Sequence, residues 1–176
     1  DTLWHNINIS KGLKAIVQHP LFQKLSHIKQ LGPAYLVYPG ATHTRLIHSL
    51  GVFHIAKRMI HTLLQREGCP ALTMEGVKAF LCASLLHDLG HFPFAHSLKE
   101  LPLKTHEKLT AELILSSSLK KYIDEKVQTD PERVAAIIDL SLKTNSDPEI
   151  DFFRKILSGV LDPDKLDYLN RDAFFC

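Results

Sequence analysis

The His87-Asp88 pair is the part of this sequence with the clearest capacity for chemistry. It follows a stretch in which residues of an apolar face recur at helical spacing, namely Val77, Phe80, Leu81, Ser84 and Leu85. This periodicity predicts an amphipathic helix over about residues 74–88, with the pair on its inward face. A buried carboxylate such as Asp88 requires a charged partner, several hydrogen bonds or a metal ion. The alternative is a hydrogen-bonded structural pair at a helix end.

Histidines are concentrated around this pair. Eight of the eleven lie between residues 43 and 106: His43, His48, His54, His61, His87, His91, His96 and His106. Gly90 and Pro93 are expected to end the helix and to return His91 and His96 to the pocket that holds the pair. Such a density of imidazoles is typical of a site with histidine ligands.

The elements that must position these side chains are predicted to be helices. Capping signals mark their starts at Ser10, Pro20, Thr44, Thr73, Thr105, Asp130, Asp147 and Asp162. The longest helical pattern runs over about residues 44–67 and contains His48. Residues 34–42 are predicted to form a loop or a short strand. Because strand patterns are otherwise scarce, we predict an all-α fold.

The composition is typical of a globular protein with one core. The 176 residues are 45% hydrophobic and 23% charged, and the net charge is +2. We therefore expect one domain over residues 1–176. No long run of Lys or Arg is present, which argues against nucleic acid as a partner, whereas a phosphorylated small molecule remains compatible with this charge.

Cysteine usage and hydropathy indicate the compartment. The three cysteines lack metal-site spacing, so we expect free thiols in a reducing cytoplasm. No stretch reaches the roughly 18–20 apolar residues of a membrane span, and the N-terminus has no signal-peptide pattern. Because the sequence starts at Asp1 rather than Met and ends in an apolar segment, we expect it to be the N-terminal part of a longer chain.

Four separated motifs occur in an order that resembles one family. They are TRLIHSLGV at 44–52, HDLGH at 87–91 followed by PFAH at 93–96, HE at 106–107, and DPDKLDY at 162–168. Together they resemble the HD-domain superfamily of metal-dependent phosphohydrolases. The nearest resemblance is to the deoxynucleoside triphosphate triphosphohydrolases, the group of the sterile-alpha-motif HD-domain protein and the dGTPase-like enzymes. It implies an HD-domain helical bundle around a metal site.

The resemblance implies one divalent metal ion. The family's metal ligands correspond to His48, His87, Asp88 and Asp164. Two imidazoles and two carboxylates suit Fe, Mn, Ni, Co or Zn, and Mg is also compatible. Considered singly, His48 has the alternative of a core histidine, and Asp164 that of a carboxylate favoured by the helix dipole.

The resemblance also implies catalytic and substrate-binding residues. Family residues that contact phosphates and carry acid–base chemistry correspond to His91, His96 and His106. Phosphate-contacting positions correspond to Arg45, Lys165 and Tyr168, and residues near the sugar 3′-hydroxyl correspond to Gln30 and Asp172.

Two segments depart from the family pattern. The acidic residue that follows the last histidine of the HD loop is Lys99 here, although a carboxylate is needed to orient His96 and keep it protonated. If this segment is helical, Glu100 lies four residues after His96 on the same face, so we predict that Glu100 supplies the carboxylate. The family's opening Asp-Pro-Ile-His-Gly is Asp-Thr-Leu-Trp-His in residues 1–5.

Three functions follow from the resemblance. The first is a hydrolase that cleaves a deoxynucleoside triphosphate to a deoxynucleoside and triphosphate. The alternatives are an HD-type nucleotide monophosphatase or phosphodiesterase, and a regulatory module that binds a nucleotide without turning it over. The implied partners are a nucleotide substrate and, by family resemblance, further copies of the chain in a homo-oligomer.

Overall fold

The computed structural model describes residues 1–94, 101–144 and 146–176. In these ranges the regular structure is helical, apart from one isolated antiparallel bridge between Lys29 and Thr44. The α-helices are α1 (Lys11–Val17), α2 (Pro20–Gln23), α3 (Arg45–Leu64), α4 (Met74–Leu86), α5 (His106–Ile114), α6 (Ser117–Tyr122), α7 (Pro131–Ile138), α8 (Pro148–Leu157) and α9 (Pro163–Phe175). The predicted all-α fold is confirmed.

Side-chain caps start most of these helices at the predicted residues. The hydroxyls of Ser10, Thr73 and Thr105 accept hydrogen bonds from first-turn N–H groups of α1, α4 and α5. The carboxylates of Asp130, Asp147 and Asp162 do the same for α7, α8 and α9, each followed by a proline at the first helical position. These caps satisfy N–H groups that have no partner within the helix, which is why the starts were predictable from sequence.

The fourth helix ends earlier than predicted, at Leu86 rather than near residue 88. The hydroxyl of Thr110, on α5, donates to the carbonyl of His87 and accepts from the N–H of Gly90. Packing is also close here, because a Cβ on Gly90 would lie 2.2 Å from the carbonyl oxygen of His106. The His87-Asp88 pair therefore occupies a turn held by α5, not the helix itself.

Three other stretches differ from the prediction. Gly32–Leu36 forms a 3₁₀ helix at the start of the segment 34–42 that was predicted as a loop or a short strand, and this helix begins at the positive φ of Gly32 (54°). The helix that starts at Pro20 changes to a 3₁₀ turn at Lys24–His27. Helix α6 and the π-helical turn Ile123–Val127 that follows it were not predicted, since their surface lysines obscure the apolar period.

One hydrophobic cluster joins the helices and fixes the frame of the site. Helices α3, α4 and α7 pack together through side chains that are fully buried, including Phe53, Phe80, Leu85 and Val134. Phe80 stacks on Phe153 of α8 with ring centroids 4.9 Å apart. Burial of each large apolar side chain contributes about 1.5–3 kcal/mol. Helix α9 packs along α3, so the start of α3, the end of α4 and the start of α9 meet.

Within the ranges described, no helix combines the length and the apolar character that crossing a membrane requires.

Candidate metal centre

Four predicted metal ligands converge from three elements. His48 lies in α3, His87 and Asp88 follow α4, and Asp164 lies in the first turn of α9. The Nε2 atom of His48 is 2.9 Å from Asp164 Oδ1 and 3.8 Å from Asp88 Oδ2. The Nε2 atom of His87 is 3.5 Å from Asp88 Oδ1 and 3.7 Å from Asp164 Oδ1. These separations leave two nitrogens and two carboxylates around one common point.

The hydrogen bonds of the two histidines leave their Nε2 atoms available to a metal ion. Nδ1 of His87 lies 3.0 Å from the carbonyl oxygen of Ser84, and Nδ1 of His48 lies 2.7 Å from Asp167 Oδ2. Because a carbonyl and an ionised carboxylate only accept, Nδ1 carries the proton in both rings. Both Nε2 atoms are buried and have no hydrogen-bond partner among the described residues. These residues fit a divalent metal ion.

The short approach of His48 to Asp164 supports the same interpretation. Their Nε2 and Oδ1 atoms are 2.9 Å apart, and His48 Nε2 is buried without a hydrogen-bond partner of suitable geometry among the described residues. A distance of this size is expected between an unprotonated imidazole nitrogen and a carboxylate oxygen that bind the same cation. His48, His87 and Asp88 also form a group of buried side chains whose ligand atoms lie within 4.8 Å of one another.

Asp88 is ionised despite its burial. Burial raises the pKa of its carboxyl, but the charges of His87 and Arg45 and the hydrogen bond from His91 outweigh this and hold the pKa well below its ordinary value. Arg45 Nη1 donates directly to Asp88 Oδ2. The metal centre therefore contains a permanently negative ligand.

His48 shows how strongly the site attracts positive charge. Burial lowers the pKa of its imidazole, whereas the carboxylates of Asp164, Asp167 and Asp88 raise it to about 9. The pKa of His87 is also raised, because the charges of Asp88 and Asp164 outweigh its burial. A divalent cation bound between these side chains would supply the same charge compensation that protons supply without it.

A second histidine pair lies beside the metal ligands. His91 Nε2 is 3.3 Å from Asp88 Oδ1, and the rings of His91 and His106 stack with centroids 4.0 Å apart. Burial, the largest effect on each, lowers the pKa of His91 to about 4 and lowers that of His106. Both rings are thus neutral near pH 7. The predicted catalytic residues His96 and Glu100 lie outside the described residues.

A cavity of about 500 Å³ opens next to these histidines. Its walls include Arg45, Asp88, His91, His106 and Asp164, together with the predicted substrate residues Gln30, Tyr168 and Asp172. Its volume is in the range of small-molecule sites. The structure does not bring Lys165 to these walls, because its ammonium donates to Asp162 Oδ2 (2.7 Å) and to the carbonyl of Gly159 (2.8 Å).

His43 joins two of the predicted substrate residues, a role that its sequence position did not reveal. Its carbonyl accepts from the N–H of Gln30 at 3.0 Å, and its Nε2 lies 2.9 Å from Asp172 Oδ1. Gln30 Oε1 is buried without a hydrogen-bond partner in the part of the chain that the structure describes. His43 thus connects two residues that line the cavity, and of these Asp172 has a partly exposed carboxylate.

Sequence reasoning also missed Asp167 and Arg171. Asp167 contacts the metal ligand His48, and Arg171 forms two hydrogen bonds with Asp167. The signal was the spacing of Asp164, Asp167 and Arg171, which places three charged side chains on one face of α9.

Comparison with known proteins identifies the family. A family model described as the HD domain matches residues 45–164, which is more than half of the chain. The chain belongs to the HD domain family. Its predicted membership of this superfamily is therefore confirmed, and the matched range of residues includes the buried group of His48, His87 and Asp88 that could hold a metal ion.

Relatives of this HD domain include characterised and uncharacterised proteins. The chain is 38% identical over 155 residues to the uncharacterized protein YwfO of Bacillus subtilis, covering 88% of this chain and 34% of that protein. It is 32% identical over 201 residues to the deoxynucleoside triphosphate triphosphohydrolase SAMHD1 of Gallus gallus, covering 98% and 33%. The chain thus spans about a third of the length of these relatives.

A solved structure shows the same fold. The crystal structure of a phosphohydrolase from Bacteroides thetaiotaomicron superposes with a TM-score of 0.80 at 35% identity, covering 99% of this chain and 41% of that one.

Proposed function

We propose that this HD domain is part of a metal-dependent phosphohydrolase that cleaves a deoxynucleoside triphosphate to a deoxynucleoside and triphosphate. The observation that carries the proposal is the four-ligand cluster of His48, His87, Asp88 and Asp164, which borders a cavity lined by cationic and histidine side chains. The likeness to a protein named deoxynucleoside triphosphate triphosphohydrolase supports the substrate class.

The metal ligands define where the reaction takes place. The two Nε2 atoms and the carboxylates of Asp88 and Asp164 would hold a divalent ion, which would supply Lewis-acid activation of a phosphoryl group and of water. The Nδ1 hydrogen bonds of His48 and His87 keep both rings turned toward that ion. Fe, Mn, Ni, Co, Zn and Mg are all compatible with this ligand set.

Arg45 is the cation proposed to contact the polyphosphate. It lines the cavity while one guanidinium nitrogen is held by Asp88, so its position is fixed before substrate arrives. Its Nε has no hydrogen-bond partner among the described residues. A preorganised guanidinium in a partly closed site stabilises developing phosphoryl charge strongly. Tyr168 lines the same wall, and Lys165 would join it by releasing Asp162.

Proton transfer is assigned to the histidines. His91 and His106 are neutral and adjacent to the metal ligands, so they can accept a proton or a hydrogen bond from a phosphate-bound water. The leaving deoxyribose oxygen needs a proton, and the family resemblance assigns its donation to His96, oriented by Glu100. These two roles remain predictions.

The sugar is proposed to occupy the end of the cavity that Gln30 and Asp172 line. The carboxylate of Asp172 is partly exposed and offers an oxygen acceptor, which suits a sugar hydroxyl. Assembly into a homo-oligomer and a cytoplasmic location remain predictions.

Product analysis tests the proposal. Metal-loaded full-length protein is incubated with each of the four deoxynucleoside triphosphates and with the corresponding monophosphates. A deoxynucleoside with intact triphosphate is the expected result. Inorganic phosphate released from a monophosphate would instead indicate the nucleotidase alternative, and binding of a triphosphate without any product would indicate the regulatory module.

A further inference from the structure

Asp167 lies at the centre of a buried network behind the metal ligands. Its side chain is fully buried. One oxygen, Oδ2, lies 2.7 Å from His48 Nδ1 and accepts from Arg171 Nε at 2.7 Å. The other oxygen, Oδ1, accepts from Arg171 Nη2 at 2.9 Å and from the indole N–H of Trp4. Both oxygens of this carboxylate are thus engaged, and three side chains contact them.

Arg171 connects the network to the start of the chain. Its guanidinium is fully buried and lies 3.0 Å from Asp1 Oδ2. The other oxygen of Asp1 accepts from the N–H groups of Leu3 and Trp4, at 2.7 and 2.9 Å. A buried guanidinium is tolerated when carboxylates compensate its charge, and here two do so. The first turn of the chain is therefore attached to the same network as the metal ligand.

Gly51 leaves the space that this network occupies. A Cβ at this position of α3 would lie 1.9 Å from Asp167 Oδ1 and 2.5 Å from Arg171 Nη2. Any larger residue would have to displace one of these two side chains. The sequence thus keeps α3 and α9 close enough for Asp167 to reach His48.

We propose that Asp167 is a positioning residue that fixes His48 with Nδ1 protonated and Nε2 facing the metal ion, and that Arg171 and Trp4 hold Asp167 in that orientation. The proposal rests on the proposed metal centre. A carboxylate on the outer nitrogen of a histidine ligand fixes its tautomer and ring orientation and strengthens its donation to the metal, which changes metal affinity about 10–100-fold. Asp167 acts through His48 and does not itself contact the ion.

The test compares two buried aspartates in the full-length protein. Asp167→Asn removes the charge and lets the amide donate to Nδ1, which favours the wrong tautomer. Asp139→Asn is the control, because Asp139 is also buried but accepts only from Ser141 with its side chain among the described residues. The dissociation constants for Co²⁺ and Mn²⁺ are measured by chelator competition. The absorption spectrum of the Co²⁺-bound protein and the melting temperature of the metal-free protein are recorded separately. We expect Asp167→Asn to weaken both metals about 10–100-fold and to change the Co²⁺ spectrum.

A purely structural role would give a different pattern. It would lower the melting temperature of metal-free Asp167→Asn while leaving the dissociation constants and the spectrum as in the unmutated protein, and this result would overturn the proposal. Two further variants apply if Asp167→Asn does not fold. Trp4→Phe removes one donor to Asp167, and Gly51→Ala displaces Asp167 without changing an ionisable group; each should weaken metal binding several-fold, and unchanged affinity in both would also overturn the proposal.

The experiment separates this inference from the proposed function, because it needs no substrate. Metal binding that depends on Asp167 in a protein that hydrolyses no nucleotide would contradict only the proposed function. Hydrolysis with metal affinity independent of Asp167 would contradict only the inference.

Discussion

Two histidine–aspartate pairs connect α9 to the region of α3, and they differ in exposure. In the first, His48 and Asp167 are both fully buried, and Asp167 receives further hydrogen bonds from Arg171 and Trp4. In the second, His43 is buried but the side chain of Asp172 is 28% exposed and lines the cavity. A saturated carboxylate can only orient its histidine, whereas a partly exposed one retains an oxygen for a ligand. We therefore expect the first pair to position a histidine and the second pair to contact a ligand.

The largest effect is expected at Asp88, which is predicted to be a metal ligand. Asp88→Ala should abolish binding of the transition metal, because it deletes a charged ligand. It should also destabilise the fold by about 3–5 kcal/mol, since Arg45 loses its buried partner. Metal analysis of the purified full-length variant and its urea unfolding midpoint check both. Full metal occupancy in the variant would contradict the ligand assignment; Asp139→Ala provides the control for loss of a buried carboxylate.

The next largest effect concerns Arg45 and Lys165, the two cations predicted to contact the phosphates of the substrate. Arg45→Ala should cost about 3 kcal/mol of transition-state stabilisation toward triphosphates, the size for one donor removed from a closed site. Lys165→Ala should cost less, because its ammonium is bound to Asp162 and Gly159. Values of kcat/KM for a deoxynucleoside triphosphate and monophosphate measure the difference. Equal losses on both substrates would argue against a polyphosphate contact by Arg45.

A smaller effect separates the two pairs directly. Asp172→Asn should lower kcat/KM by about 10-fold, through loss of a charged hydrogen bond to the sugar, with the metal content unchanged. Asp167→Asn should show the opposite pattern, because its main effect should be a reduced metal affinity. Parallel metal analysis and kinetics on the two variants check this, and loss of metal from Asp172→Asn would show that the pairs are not distinct in function.

The smallest effect is expected at His19, a buried histidine that has no carboxylate partner among the described residues. His19 caps α2, its Nε2 lies 3.0 Å from Ser118 Oγ, and burial lowers its pKa. Its folded-state pKa lies below the unfolded value near 6.5, so its contribution to stability is present above pH 6.5 and is lost as the pH falls from that value through the folded-state pKa. The difference in unfolding free energy between the unmutated protein and His19→Gln should therefore shrink between pH 7.5 and 5. A difference that grows on acidification would contradict the sign of this shift.

Local signals in the sequence predicted the helical architecture well. Caps such as Thr73 and Asp162 act within one turn, so their residues alone locate the starts of α4 and α9. The end of α4 was misplaced because it is set by Thr110, which is distant in sequence. The same limit applies to Gly32–Leu36, a 3₁₀ helix that begins at a glycine with positive φ and covers part of the predicted loop or short strand.

The candidate site divides in the same way. The four predicted ligands lie together, as expected from motifs that resemble those of one family. The spacing of Asp167 and Arg171 places them on one face of α9, but their contact with His48 depends on the close approach of α9 to Gly51, which that spacing does not predict. Lys165 lies in one of these motifs, but its ammonium donates a hydrogen bond to Asp162 and does not line the cavity.

Removal and restoration of the metal ion tests the central claim most directly. Full-length protein is stripped with a chelator, and the release of deoxynucleoside from a deoxynucleoside triphosphate is followed before and after one equivalent of Mn²⁺ or Fe²⁺ is added. We expect hydrolysis to stop in the stripped protein and to return with the metal, because two histidines and two aspartates of this chain face one shared point. A stripped protein that hydrolyses the triphosphate at the original rate would contradict the assignment of these residues as a catalytic metal centre.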